Sequence, residues 1–101
     1  MKKYVITVGK NVNGKQLIDD REFQNITINI LKKNEIYEFT LINCLGGYVY
    51  NDEKCELEKS LKIEILSMTT LYLSGLIQDL KIEFKQECIM LEKNEIDVSF
   101  L

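Results

Sequence analysis

The sequence predicts an all-β domain: an antiparallel meander or sandwich of about seven to nine short strands, with at most one short helix. Three observations carry this reading. Wherever a period is readable along the chain it is two, the repeat of a strand. The composition is rich in residues that suit pleated, half-buried surfaces, with thirteen Ile, five Val, five Thr, five Tyr and four Phe. Ala, the best helix former, is absent, and so is Pro. At 101 residues, 46% hydrophobic and 29% charged, the chain is one compact domain spanning residues 1–101. A chain of that size buries a core without a metal or disulfide.

In order, Tyr4, Ile6 and Val8 alternate with Val5 and Thr7 as a first strand. Asn13-Gly14 follows Val12, and both residues tolerate the positive φ of a type I′ hairpin turn. A return strand through Gln16-Leu17-Ile18 ends in Asp19-Asp20-Arg21-Glu22, read as a solvated turn. Ile26, Ile28 and Ile30 share one side of the next strand, and Lys33-Asn34 turns the chain. A long strand runs from Ile36 through Phe39, Leu41 and Leu45 until Gly46-Gly47 breaks it. Tyr48-Val49-Tyr50 is then a short strand before the turn Asn51-Asp52-Glu53-Lys54.

Cys55, Leu57, Leu61, Ile63 and Ile65 all fall on odd numbers, with Glu56, Glu58, Lys62 and Glu64 between them. A helix over 52–60 is the alternative there, with Asp52 as its cap; the continued alternation favours a strand. Residues 69–73, Leu80-Ile82-Phe84, 88–91 and Ile96-Val98-Phe100 complete the strands. Lys33-Asn34-Glu35-Ile36 recurs as Lys93-Asn94-Glu95-Ile96. Segments 26–41 and 86–101 therefore read as two similar hairpins, either a duplication or a chance product of a Lys/Asn/Ile/Glu-rich composition.

Cys44, Cys55 and Cys88 form no C-x-x-C pair and read as buried, reduced thiols, with a Cys44–Cys55 bridge as the alternative. The apolar run after Lys2-Lys3 is too short for a signal peptide, and no segment reaches the ~20 residues needed to span a membrane. A cytoplasmic location is the expectation.

The chain contains no His, which removes the commonest general base and the usual partner of a Ser or Cys nucleophile. Its five glycines form neither G-x-G-x-x-G nor a Walker-type loop. Asp19-Asp20-x-Glu22 and Asp52-Glu53 lack the calcium-loop pattern and read as solvated turns. These points predict no catalytic residue, no metal site, no cofactor and no enzymatic activity, with carboxylate-based catalysis by paired Asp and Glu as the residual alternative. A single Arg beside twelve Lys argues against sequence-specific DNA binding.

What stands is a surface. Residues 1–50 carry a net charge of +2 and residues 51–101 carry −5. Tyr48 and Tyr50 share one face of a short strand beside the acids Asp52, Glu53, Glu56 and Glu58. Tyrosines give large, stiff contact area at low entropic cost, so these six residues make a candidate partner-binding patch. In size, charge and missing chemistry the chain resembles bacterial immunity proteins and phage-encoded defence inhibitors. That resemblance implies a non-enzymatic anti-defence or inhibitor protein that blocks a partner, possessing a basic surface such as a toxin or defence enzyme. Two alternatives stay open: a small-molecule or nucleotide-sequestering protein, and a structural subunit assembling into homo-oligomers through edge strands.

Overall fold

The computed structural model describes residues 1–101 and shows a mixed α/β domain, not an all-β one. β1 (Lys2–Gly9) leads into a small hairpin, β2 (Asn11–Val12) and β3 (Lys15–Gln16). Then come α1 (Asp20–Lys33), β4 (Thr40–Val49), β5 (Cys55–Ser67), α2 (Ser74–Phe84) and β6 (Met90–Glu95). The main sheet has four strands in the order β4-β5-β1-β6, every neighbouring pair antiparallel. Two β-α-β units are thus interleaved, each with a strand of the other between its own two, which is the ferredoxin-like arrangement.

β1 behaves as its alternation requires. Tyr4, Ile6 and Val8 face the helices and are almost wholly buried, with Leu61, Ile63 and Ile65 of β5 on the same face. The Asn13-Gly14 turn also forms as expected, both residues having positive φ, 50° and 79°. β5 is a strand through 55–60, so the helical alternative over 52–60 does not form.

Several expectations are corrected. The first concerns 26–30, which lies inside α1 rather than in a strand. Phe23, Thr27 and Leu31, spaced by four, turn onto the sheet and are buried, while Ile26 and Ile30 pack against the same core. Ile, Thr and Asn are mediocre helix formers, so burial of this stripe outweighs local preference. The cluster read as a solvated turn is the start of that helix. Asp19 Oδ1 accepts the Glu22 amide hydrogen at 2.8 Å, Asp20 and Glu22 lie in the first turn, and Lys32 and Lys33 lie in the last. These charges oppose the helix dipole at both ends.

The second correction is α2, which replaces a strand at 80–84; Leu76, Leu80 and Phe84 are its buried stripe. Residues 69–73 form no strand either. Third, Gly46-Gly47 does not break β4, which continues to Val49. Fourth, 26–33 is helix whereas 90–95 is strand, so the two echoing segments are not equivalent hairpins, and 96–101 adds no strand. The cysteines differ as well: Cys44 is half-buried, while Cys55 and Cys88 are exposed. Cys44 lies opposite Ser60 and Cys55 opposite Val49, which sets the two thiols on opposite faces of the hairpin and leaves them unbridged. No helix is long and apolar enough to cross a membrane.

Both helices cover one face of the sheet. The other face, carrying Lys3, Val5, Thr7, Lys62 and Glu64, has no second layer. β4 and β5 run past β1, whose last pairing is Gly9 with Ser60, so their far ends project as a free two-stranded hairpin.

Candidate functional site

The projecting hairpin holds all six residues singled out from the sequence. Its register sets Tyr48 opposite Glu56 and Gly46 opposite Glu58, all on the face turned away from the helices. Tyr50 lies two residues beyond Tyr48 on that face, and the two rings meet edge to face at 4.8 Å. Tyr50 donates its hydroxyl hydrogen to Glu56 Oε2 at 2.5 Å. That bond, with the negative charge behind it, raises the pKa of Tyr50 and keeps the phenol protonated. Tyr48, Tyr50 and Glu56 therefore form one continuous acidic-aromatic surface.

Glu58 belongs to the same face nearer the sheet. Its carboxylate lies over Gly9 of β1, where an added Cβ would overlap Oε1. Neither Glu58 oxygen takes part in a hydrogen bond or an ion pair within the chain, unlike the carboxylates of Asp20, Glu56, Glu64, Asp79 and Glu95. Gln86 borders the same space beside Gly9, and its Nε2 donates to Asn11 O at 2.8 Å and to Phe84 O at 3.2 Å. The Gln86 side chain borders a cleft of about 260 Å³, lined also by Asn11, Val12 and Cys88. The root of the hairpin thus presents a half-buried, unpaired carboxylate between an aromatic-acidic blade and a small cleft.

Asp52 and Glu53 have different work. Asp52 Oδ1 accepts the Lys54 amide hydrogen at 3.1 Å, and Glu53 takes the positive φ, 67°, that closes the turn. They shape the hairpin tip and add nothing to the face that joins Tyr48, Tyr50, Glu56 and Glu58. Gly9 and Gln86 were missed by sequence reading. A glycine ending a strand is a weak signal, and only the register reveals that Glu58 lies across it.

The hairpin root is fastened from behind. Lys10 is buried, with its ammonium 2.9 Å from Asn43 Oδ1 of β4, 3.1 Å from Asp20 Oδ1 of α1 and 5.3 Å above the Phe23 ring. Asp20 also accepts from Gln16 Nε2 at 2.8 Å and from Lys59 Nζ of β5 at 3.3 Å. The Gln16 bond, then the Lys10 bond, hold the Asp20 carboxyl at about 2, against an ordinary 3.8. A depressed carboxyl stabilises the fold above its unfolded pKa and loses that contribution as pH falls through its folded one. Asp20→Asn is therefore expected to melt below the wild type at neutral pH. The gap should narrow between pH 3.8 and about 2, read by thermal melts across that range. A gap that stays constant down to the lower limit would show that Asp20 contributes no charge-dependent stability.

Fold and site together define a class: a ferredoxin-like domain whose central hairpin extends as an aromatic and acidic blade, with a free carboxylate at its root. The chain is similar to solved structures with the same architecture. It aligns with a phage SAM lyase in complex with S-methyl-5′-thioadenosine at 25% identity and a TM-score of 0.69, over 93% of this chain and 80% of that one. The lyase in its apo state aligns at 26% identity and 0.69, over 92% and 78%. The B. subtilis GlnK–ATP complex shares the fold alone, at 12% identity and 0.54 over 93% and 84%. No protein-family model matches the chain, and no curated protein matches it.

The likeness to a lyase overturns the expectation of a non-enzymatic inhibitor and the expectation of no enzymatic activity. The relation to a phage protein is retained. The error lies in what the missing His excludes. It excludes imidazole-based catalysis and no more.

Proposed function

We propose that this chain binds S-adenosylmethionine at the root of the β4–β5 hairpin and cleaves it with release of S-methyl-5′-thioadenosine. The observation that carries the reading is the alignment with the phage SAM lyase along nearly the whole chain. The chemistry of the hairpin supports it. S-adenosylmethionine carries a sulfonium and an ammonium, and cations are recognised by carboxylates and aromatic faces. Tyr48, Tyr50, Glu56 and Glu58 supply both on one surface. Glu58 has no cation of its own in this chain, so its charge is available to the substrate.

The reaction suits a protein without histidine. Breaking the bond between sulfur and the amino-acid side chain expels a neutral thioether, so the leaving group needs no proton. The electrons that replace the broken bond come from the substrate's own carboxylate or from a neighbouring C–H bond, whose proton a carboxylate can accept. In either route the protein must hold the cation, align the two halves and keep water away. In this reading Glu58 faces the sulfonium, with Tyr48 and Tyr50 flanking it.

Incubating the purified chain with S-adenosylmethionine and following products by liquid chromatography–mass spectrometry tests the proposal. Methylthioadenosine should accumulate to many equivalents per chain. Binding without any product above the spontaneous rate would overturn it.

A further inference from the structure

On the helix side of β4 and β5 the apolar core stops at Leu41 and Leu61. Toward the tip the same side carries Leu45, Val49 and Leu57, all left exposed. β1 gives out at the same level, with Gly9 opposite Ser60 and one further bond from the Lys10 amide to Lys59 O at 3.0 Å. The hairpin therefore leaves the sheet with neither apolar packing nor a third strand to fix its angle. At the boundary, each of its strands is tied once by a polar group. Asn43 of β4, opposite Leu61, accepts from the Lys10 ammonium, and Lys59 of β5, opposite Leu45, donates to Asp20 Oδ2 of α1. Both ties converge on the Lys10–Asp20 pair, 3.1 Å apart, and the Lys10 side chain is only 1% exposed.

We propose that Lys10 is a positioning residue: through Asn43 and Asp20 it sets the angle of the β4–β5 hairpin and so seats the Glu58 carboxylate over Gly9. Its part in the reaction rests on the lyase reading above, whereas its hold on the hairpin does not. Lys10 adjoins Gly9 and Lys59 adjoins Glu58, so the clamp grips the neighbours of the very contact it serves. Lys10 is buried on the helix side while Glu58 faces away from the helices, so Lys10 acts through the hairpin and not on the substrate. Burying an ammonium costs solvation that an apolar side chain of similar volume would not, so stability alone does not account for a charge here. A charge-assisted hydrogen bond has a fixed direction, which is what a strand pair without packing lacks.

Residual dipolar couplings of the backbone amides read the hairpin's angle directly. In the wild type, residues 46–58 should fit the alignment frame of β1 and of residues 60–66. In Lys10→Met and in Asn43→Ala they should depart from it while the rest of the sheet does not. Lys10→Met keeps an unbranched side chain over Phe23, and Asn43 is itself exposed, so both variants should melt close to the wild type. Cleavage of S-adenosylmethionine should fall about thirtyfold in kcat for Lys10→Met and about tenfold for Asn43→Ala, the scale of a small misplacement of the acting group. Asn43→Asp retains an acceptor and should keep both the wild-type couplings and the wild-type rate. Added to Glu58→Gln, Lys10→Met should cost less than about threefold, because the two residues act as a unit. A full thirtyfold loss on top of Glu58→Gln would overturn the proposal. Hairpin couplings unchanged in both Lys10→Met and Asn43→Ala would overturn it too, even in a chain that cleaves nothing; absence of cleavage in the wild type removes the lyase reading and leaves the couplings to decide the clamp.

Discussion

Glu58→Gln is expected to lower methylthioadenosine release by about a hundredfold or more, the scale of removing a charged group that acts on the reacting atoms. The substitution is isosteric, and Glu58 makes no hydrogen bond or ion pair that supports the fold, so the melting temperature should stay close to that of the wild type. The same carboxylate can be moved without being removed. Gly9→Ala puts a methyl group where Glu58 Oε1 now lies, and the flexible side chain must swing aside. Gly9 does not have a positive φ, so its backbone accepts alanine. Activity should fall about tenfold, with stability little changed, if the glycine serves to seat the carboxylate. Glu53→Gln, in the turn, should leave the rate untouched. Full activity in Glu58→Gln, measured on a chain whose wild type releases methylthioadenosine, would remove Glu58 from the site while leaving the lyase reading intact.

The second large effect is on stability. Phe23→Ala should destabilise the fold by about 3–5 kcal/mol, the usual cost of truncating a buried aromatic ring. Phe23 is 1% exposed and stacks on Phe84 of α2 with ring centroids 3.8 Å apart, which joins the two helices above the sheet. Its other face supports the Lys10 ammonium. Truncation thus opens a cavity, removes an aromatic pair and uncovers a buried charge together. Against the roughly 5–15 kcal/mol that holds a small domain folded, the loss approaches the whole. In urea the midpoint should drop by roughly 2 M for a slope near 2 kcal/mol/M. Phe23→Leu keeps most of the volume and should lose appreciably less. A midpoint shift below about 0.5 M for Phe23→Ala would show that the helix pair does not depend on this ring.

How far the sequence reaches is visible at particular residues. Alternation along β1 and β5 was legible because Tyr4, Ile6, Val8, Leu61, Ile63 and Ile65 are all buried on one face of the sheet, which enforces a period of two over those stretches. The Asn13-Gly14 turn was legible because its backbone conformation needs those residue types. Ile26, Ile28 and Ile30 misled for a physical reason. In a chain with thirteen Ile, an apolar run satisfies the strand period and the helical i, i+4 period together. The deciding sign was polar: Asp19 with Glu22 three residues on, and Lys32-Lys33 at the far end, are helix-terminus chemistry. For α2 no comparable sign exists, because its start has no side-chain cap.

By itself the sequence determined the inward face of the central strands, the first turn and the grouping of Tyr48, Tyr50, Asp52, Glu53, Glu56 and Glu58 about one turn, since these follow from neighbours along the chain; the register of β4 on β5 then sorted Tyr48, Tyr50, Glu56 and Glu58 onto one face. Only the tertiary structure decided that residues 20–33 and 74–84 coil, because the gain comes from covering a sheet whose strands are far away in sequence. It alone set Glu58 across Gly9, almost fifty residues distant in the chain, and Lys10 beneath the hairpin root. The absence of His describes which proton carriers the chain lacks. What the remaining carboxylates and tyrosines can do depends on how far the β4–β5 hairpin runs beyond its neighbour, and that is a property of the folded sheet.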